Sequence, residues 1–407
     1  MAGIYLSIPF CKTKCSYCNF ASGVFARGLM QNYVECLCRD IATAESLARE
    51  AGGIFEQKAD SVYLGGGTPS ILEPVQLEQI FSALRENFQI KKDAEITVEC
   101  APGTISPAML LALTHCGVNR VSLGVQSFVS EESRAVGRLH TAESALADVA
   151  RLRAAGIDNI NLDLIAGLPH QTAESWERSL QQAIASGVLH ISVYMLEVDE
   201  DSRLGSELIA GGARYHAHFV PDDAQTAEFY QHACARLQEA GIAQYEISNF
   251  ARAGGESRHN LKYWTRQPYL GFGVDAHSML RSRDSSLDAV RIAIPDSLEE
   301  FMQREDSQAP MRDVSVTRVS EQQAWEETFF LGLRLREGVA MAEVARRFGA
   351  ARSELAAGIA EQLANEGLAT LQDGRLRLTP RGVLISNEVF ERFLDVGKTA
   401  EMKAAAV

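Results

Sequence analysis

The chain of 407 residues contains no apolar run of about eighteen residues, and no basic stretch precedes Ile4–Phe10. The sequence therefore predicts neither a membrane span nor a signal peptide. Basic residues are in deficit, 39 Lys and Arg against 53 Asp and Glu, for a formal net charge of −14. That balance argues against the basic footprint of a nucleic-acid binder and offers anionic lipid no attraction. Cysteine is scarce, eight in all, too few for a disulfide scaffold and suited to the reducing cytoplasm. What remains is ordinary globular composition, 46% hydrophobic and 23% charged, long enough for a large domain plus an appendage.

Three of those cysteines are crowded together: Cys11-x3-Cys15-x2-Cys18 lies just after the apolar run Ile4–Phe10. Tetrahedral zinc normally takes four ligands, and no Cys or His nearby supplies a fourth. A [4Fe–4S] cluster held by three thiolates leaves one iron open to a small molecule, and cysteine thiolate is the usual cluster ligand. Three inert cysteines that happen to fall together are the plain alternative.

Short β-branched runs at Ile4–Ile8, Ser61–Leu64, Glu95–Glu99, Val121–Val125, Asn159–Ile165 and Ile191–Leu196 read as buried strands. Between them Gln31–Ala51, Val75–Glu86, Pro107–His115, Ala142–Ala155 and Ala173–Ser186 carry a helical apolar pattern. Strand and helix alternating about every thirty residues predict an α/β fold with a parallel sheet. Six such units are too few for a closed eightfold barrel, so the expected form is a partial (β/α)6 barrel with its chemistry at the C-terminal strand ends. The pattern changes near Asp313: Val319–Leu335, Met341–Phe348, Arg352–Glu366 and Pro380–Leu394 read as helices, and Leu368–Leu371 and Arg375–Leu378 as a hairpin about Asp373-Gly374. This predicts a mainly helical, winged-helix-like domain. With 12 basic against 14 acidic side chains from Asp313 onward, a structural or lid role is expected rather than DNA binding. The expected divisions are a partial barrel over 1–250, a connector over 251–312, the helical domain over 313–395 and a frayed tail over 396–407.

Cys11, Cys15 and Cys18, with Tyr17 and Phe20, resemble the signature of the radical S-adenosylmethionine (SAM) superfamily. The resemblance implies that SAM chelates the open iron and that an electron from the cluster cleaves its sulfonium bond to a 5′-deoxyadenosyl radical, while the protein orients and shields. Gly65-Gly66-Gly67-Thr68-Pro69-Ser70 matches the glycine-rich loop, where absent side chains let backbone acceptors approach the SAM ammonium. Glu99, closing a strand, suits that ammonium through a charge-assisted hydrogen bond; a solvated strand-end Glu is the alternative. Gln126 suits a ribose or carboxylate contact, and Arg138 suits the SAM carboxylate unless it is a surface arginine at a helix end. Asp163, inside an apolar strand, needs a partner, either a ribose diol or a neighbouring strand.

Tyr5–Phe20, Gly65–Ser70, Gly117–Phe128, Asp163–Pro169 and Tyr245–Ala251 narrow the resemblance to the coproporphyrinogen-III-dehydrogenase-like group, covering nearly the whole chain. In that group Tyr5, Tyr17, Gly66, Gly67, Thr68, Glu99, Gln126, Arg138 and Asp163 match SAM-contacting positions. Two departures point to its haem-chaperone branch: Phe20 stands where the dehydrogenase has a further cysteine, and only ten residues precede Cys11. His259-Asn260-Leu261-Lys262-Tyr263-Trp264 matches that branch's HNxxYW motif. The motif suits haem: His259 as axial ligand, Tyr263 and Trp264 against the porphyrin, Arg258 or Lys262 for a propionate. His277 is the rival ligand, although its surroundings look like the end of the SAM pocket, and His140 is a weaker candidate. The resemblance thus implies a cytoplasmic chaperone that passes haem to haemoproteins, the expected acceptors being respiratory enzymes at the membrane surface. Oxidative decarboxylation of coproporphyrinogen propionates is the enzymatic alternative, and a redox-responsive interaction protein the third reading.

Overall fold

A computed structural model describes residues 1–303 and 314–394. The expected tail over 396–407, and the boundary at Asp313, lie outside the described residues. Among the described residues, no helix is long and apolar enough to cross a membrane.

The main sheet has twelve strands: β1 Ala2–Ile8, β2 Lys58–Gly66, β3 Gln89–Cys100, β4 Arg120–Gln126, β5 Asn159–Ala166, β6 His190–Met195, β7 Ala243–Gln244, β8 Asn249–Ala251, β9 Tyr269–Phe272, β10 His277–Arg281, β11 Ala289–Ala293 and β12 Ser315–Val319. Their order is β12-β11-β10-β9-β1-β2-β3-β4-β5-β6-β8-β7. The seven strands from β9 through β6 run parallel. Antiparallel strands extend the sheet at both ends. Because β6 turns to β8 and never meets β9, the barrel stays open.

The six expected strands are all present, because each is a short apolar run buried on both faces, as parallel strands beneath helices must be. Tyr33, Val34, Leu37 and Ile41 of the helix Gly28–Ala42, and Leu77, Ile80, Phe81 and Leu84 of Pro74–Asn87, supply the covering layer. Ser106, Thr141 and Thr172 cap the helices that follow them by accepting from the amides of Met109, Ser144 and Ser175. The helical stretch expected over Gln31–Ala51 is two helices, Gly28–Ala42 and Ala44–Glu50, parted at Thr43.

At the C-terminal end, the helices Glu321–Gly332 and Met341–Asn365 pack with a small sheet of β13 (Val339–Ala340), β14 (Ala369–Gln372) and β15 (Arg375–Leu378). Gly349, at φ +82°, breaks the longer helix between the two helices expected there. The single helix expected over Pro380–Leu394 is divided at Ile385 into Pro380–Leu384 and Ser386–Glu391. Trp325, Phe329 and Phe393 form the aromatic centre, Phe329 and Phe393 stacked at 4.2 Å.

This region is fastened to the sheet by ions. Arg266, 4% exposed, forks between Glu327 (2.7 Å) and Asp288 (2.8 Å). Arg291 meets the other oxygen of Glu327 at 2.9 Å, and Arg347 pairs with Asp288. Arg334 stacks 4.3 Å over the Trp264 ring and approaches Glu246 at 3.7 Å.

Candidate functional site

At the C-terminal ends of the parallel strands lies a cavity of about 590 Å³, bordered by Cys11, Cys15 and Cys18 on one side. The cysteine loop is placed by backbone bonds. Gly67 donates to Ile8 O (2.9 Å) and Thr68 to Phe10 O (2.8 Å), Cys11 donates to Gly23 O (2.8 Å), and Ser16 to Val136 O (3.3 Å). A Cβ on Gly67 would stand 2.7 Å from the carbonyl oxygens of both Ile8 and Phe10. The glycine loop thus lets two backbones meet: at Gly67 the close neighbour is the chain leading into the cysteine loop, a purpose the sequence reading missed. Gly65 has a similar duty, since a Cβ there would lie 2.9 Å from the Glu99 carboxyl. Gly66, at φ +98°, lines the cavity with Gly67 and Thr68.

Opposite charges face each other across the floor. Glu99 accepts from the Tyr63 hydroxyl at 2.8 Å. Burial raises its carboxyl to about 7, against the pull of the Tyr63 and Gly66 donors and with the push of Asp163. Arg138 donates to the Tyr17 hydroxyl at 3.3 Å, while its buried Nε has no partner among the described residues. Gly124 leaves room there: a Cβ would come within 3.1 Å of Gln126 Nε2 and 3.4 Å of Arg138 Nη2. Gln126 itself sits at φ +66°, a strained conformation for a residue with a side chain, at the irregularity where β4 leaves register with β5.

Asp163 has its partners on neighbouring positions: Ser122 donates to Oδ2 at 2.9 Å and Asn161 to Oδ1 at 2.7 Å. Burial raises this carboxyl above its ordinary value. From it a polar chain crosses the sheet. Ser192 donates toward Asn161 Oδ1 (3.2 Å) and Asn249 Oδ1 (2.7 Å), Asn249 donates to Glu246, and Glu246 faces Arg334.

The cavity gathers Tyr17, Gly66, Gly67, Thr68, Glu99, Gln126, Arg138 and Asp163 from separate parts of the chain. Tyr5 stands a layer below, its ring 6.2 Å from that of Tyr63. His259 lies apart in the barrel interior, 1% exposed. Its Nδ1 meets Ser61 Oγ at 3.0 Å, its Nε2 meets Tyr263 Oη at 2.8 Å, and its ring stacks on Tyr63 at 5.3 Å. Burial and Lys262 lower its pKa to about 3, so the ring is neutral. With both nitrogens engaged, His259 as packed here is a strut and not an open axial ligand. Lys262, expected for a propionate, is instead buried and paired with Asp60 at 2.7 Å. Trp264 has its face covered by Arg334.

His277 is not at the end of the cavity: it is exposed on β10 beside Asp275. His140 donates Nε2 to Val125 O at 2.9 Å, and burial with Arg138 nearby lowers it to about 4. The sequence reading missed Tyr63, Ser122, Tyr194 and the loop Leu196–Asp199, all of which line the cavity. Tyr63 and Tyr194 were within reach of that reading, since both occupy the last turns of identified strands. The loop carries no motif; Asp199 holds it to the cysteine loop by accepting from Asn19 at 2.9 Å.

An open parallel barrel whose strand ends surround three cysteines and a glycine loop defines a radical SAM protein. The model of the Radical SAM superfamily matches residues 5–183, and that of the HemN C-terminal domain matches 319–385. The heme chaperone HemW of Bacillus subtilis is 33% identical over 97% of this chain and 99% of its own, and that of Mycobacterium tuberculosis is 32% identical over 96% and 94%. This chain belongs to the HemW family. The solved structure of coproporphyrinogen III oxidase (HemN) from Escherichia coli has the same fold, with a TM-score of 0.78 at 23% identity, covering 96% of this chain and 89% of that one.

Membership in the radical SAM superfamily implies a [4Fe–4S] cluster and SAM. The residues present fit both. Among the described residues no three His, Cys, Asp or Glu side chains converge at the distance of a single ion. Three thiols lining one cavity suit a cluster held by cysteine thiolates. The unpartnered Arg138 Nε and the raised Glu99 carboxyl are an anion site and a cation site awaiting counterparts, as the zwitterionic end of an amino acid provides.

Proposed function

We propose that this chain is a haem chaperone: it binds haem and passes it to haem-requiring acceptors, respiratory enzymes at the membrane surface among them. The likeness that carries this reading is the full-length one to the heme chaperone HemW of Bacillus subtilis. Phe20, exposed at the cavity wall, supports it over the dehydrogenase, since no cysteine stands there.

In this reading Cys11, Cys15 and Cys18 hold the cluster, and SAM lies in the cavity beside it. Glu99 binds the ammonium, Arg138 the carboxylate, and Gln126 and Asp163 the ribose, with the Gly66–Thr68 backbone alongside. Tyr17 steadies Arg138, and Tyr5 acts from below by packing against Tyr63, the donor to Glu99. Bound together, cluster and SAM supply one-electron chemistry at the sulfonium. His259, Tyr263 and Trp264 brace the sheet in the packed state; haem ligation by His259 requires the bonds to Ser61 and Tyr263 to open.

Cluster-loaded protein is expected to take up haem and to release it to a haem-free acceptor, followed by absorbance. A parallel sample given reductant, SAM and coproporphyrinogen III is expected to yield no protoporphyrinogen; its appearance together with 5′-deoxyadenosine would make this a dehydrogenase.

SAM binding is expected to depend on pH through Glu99. The free carboxyl titrates near 7 because burial disfavours its charge, and only the carboxylate pairs with an ammonium. Affinity should then fall by roughly tenfold per pH unit below about 7 and level off above it. Glu99→Gln should bind more weakly with a flat profile and unchanged iron content; a sloping profile in that variant would remove Glu99 from the SAM site.

A further inference from the structure

Outside the cavity, a second constellation of titratable side chains is built where the segment after β5 meets the chain following the helix Arg203–Ala210. His170 and His216 both adopt left-handed backbone, φ +66° and +62°, and their rings meet with His170 Nε2 3.0 Å from His216 Nδ1. Two strained non-glycine residues facing each other are uncommon in a surface segment and mark a geometry that the surroundings enforce. The surroundings do so here. Glu207, 8% exposed, accepts from the amides of Tyr215 and Ala217 on either side of His216, and His170 N donates to Phe219 O at 3.0 Å. The His170 ring stacks on Phe219 at 4.2 Å.

The pairing fixes the chemistry of His216. With Nδ1 hydrogen-bonded to His170, its Nε2 has no partner among the described residues and carries the lone pair when Nδ1 holds the proton. A ring nitrogen held from behind with the other nitrogen open is the arrangement of a metal-ligating histidine, whose second nitrogen is normally engaged and so sets tautomer and orientation. His218, beside Phe219, has neither nitrogen held among the described residues and lacks that preparation.

Two observations decide what would be bound. No three ligands converge here among the described residues, so a bare ion would lack a coordination shell. Haem brings four equatorial nitrogens of its own and needs an axial one. The neighbourhood is also apolar and exposed: Phe219 is 53% exposed, and Leu208 and Ile209 on the helix packed against it are 55% and 67% exposed. These suit a porphyrin and offer an ion nothing. Arg214, exposed beside Tyr215, provides a cation for a propionate.

Resting on the haem-chaperone reading, we infer that His216 is an axial ligand of the transported haem through Nε2, oriented by His170, on the apolar surface around Phe219. The same short helix begins at the cysteine loop, where Leu204 N donates to Ser16 O at 2.8 Å. Glu207, which holds the His216 segment, lies three residues further along it, a rise of about 4.5 Å.

The test is resonance Raman spectroscopy of ferrous haem on the cluster-loaded full chain, together with haem titration. The iron–histidine stretching band is expected in the wild type and in His259→Ala and absent in His216→Ala, with affinity lowered ~10-fold or more, since even partners of metal ligands cost that much. His170→Ala should keep the band but shift it, a change that a merely structural role would not produce. SAM binding and cluster absorbance should be unchanged in His216→Ala and His170→Ala. Should a variant fail to fold, carbethoxylation of the wild type, with haem absent or present, gives the answer by mass spectrometry: haem should protect His216. A band retained in His216→Ala, or His216 modified equally with and without haem, overturns the inference. So does a His216→Ala variant that loses zinc affinity while titrating haem normally, which would make this an ion site. A wild type that takes up no haem fails the chaperone reading instead, and the two failures are thereby distinguished.

Discussion

Cys15→Ser protein, reconstituted anaerobically with iron and sulfide, is expected to lose the visible absorbance of the cluster completely while keeping the far-ultraviolet circular dichroism of the wild type. Loss of one of three thiolates leaves two, and serine offers a harder, more basic oxygen in place of sulfur. The fold survives because the loop does not depend on the metal for its course. Ser16 N to Val136 O, Cys18 N to Cys15 O and Leu204 N to Ser16 O are backbone bonds, indifferent to the side chain at position 15. Cys15 is 8% exposed, and a hydroxyl in its place is a small change of volume. Iron content equal to wild type would show that the cluster is held elsewhere.

Arg266→Ala should be the most destabilising of the charge removals, at about 3 kcal/mol. The guanidinium is nearly sealed from water, and its two carboxylate partners come from different parts of the chain, Asp288 before β11 and Glu327 in the helix Glu321–Gly332. Deleting it leaves the half-buried Asp288 and the buried Glu327 with one arginine each, Arg347 and Arg291, so the cost stays near the lower end for a broken buried pair. Since the lost contact fastens the C-terminal helices to the antiparallel extension, the effect should be local. Hydrogen exchange should quicken in Glu321–Gly332 while β1 to β5 exchange as before. Equal protection throughout would mean that the ion network holds nothing together.

Six of the seven parallel strands were legible in the sequence because each is a compact apolar run and the helices covering them have a sustained apolar face. Asn159–Ile165 and Pro107–His115 were placed almost to the residue for that reason. The rest of the sheet was not legible: the antiparallel β7 has two residues and β8 three, the parallel β9 four, one of them glycine, and none is long enough to show a period. At the site, residues tied to motifs were found, and the cavity does assemble Cys11, Glu99, Gln126, Arg138 and Asp163. What motif reading could not supply was what each residue touches. Gly67 spaces two backbones, Lys262 neutralises Asp60, and His259 has both nitrogens taken, because sequence position does not reveal which neighbours reach a side chain across the sheet.

An open sheet has two borders, and each ends in a row of backbone donors and acceptors that another molecule's strand can match. One border here, β7, is only Ala243–Gln244, too brief to template a partner. The other, β12, turns Ser315, Thr317 and Arg318 to solvent and buries only Val319 fully, so an approaching strand would have to desolvate a cation and two hydroxyls. The molecule can therefore keep its barrel unclosed without inviting edge-to-edge polymerisation.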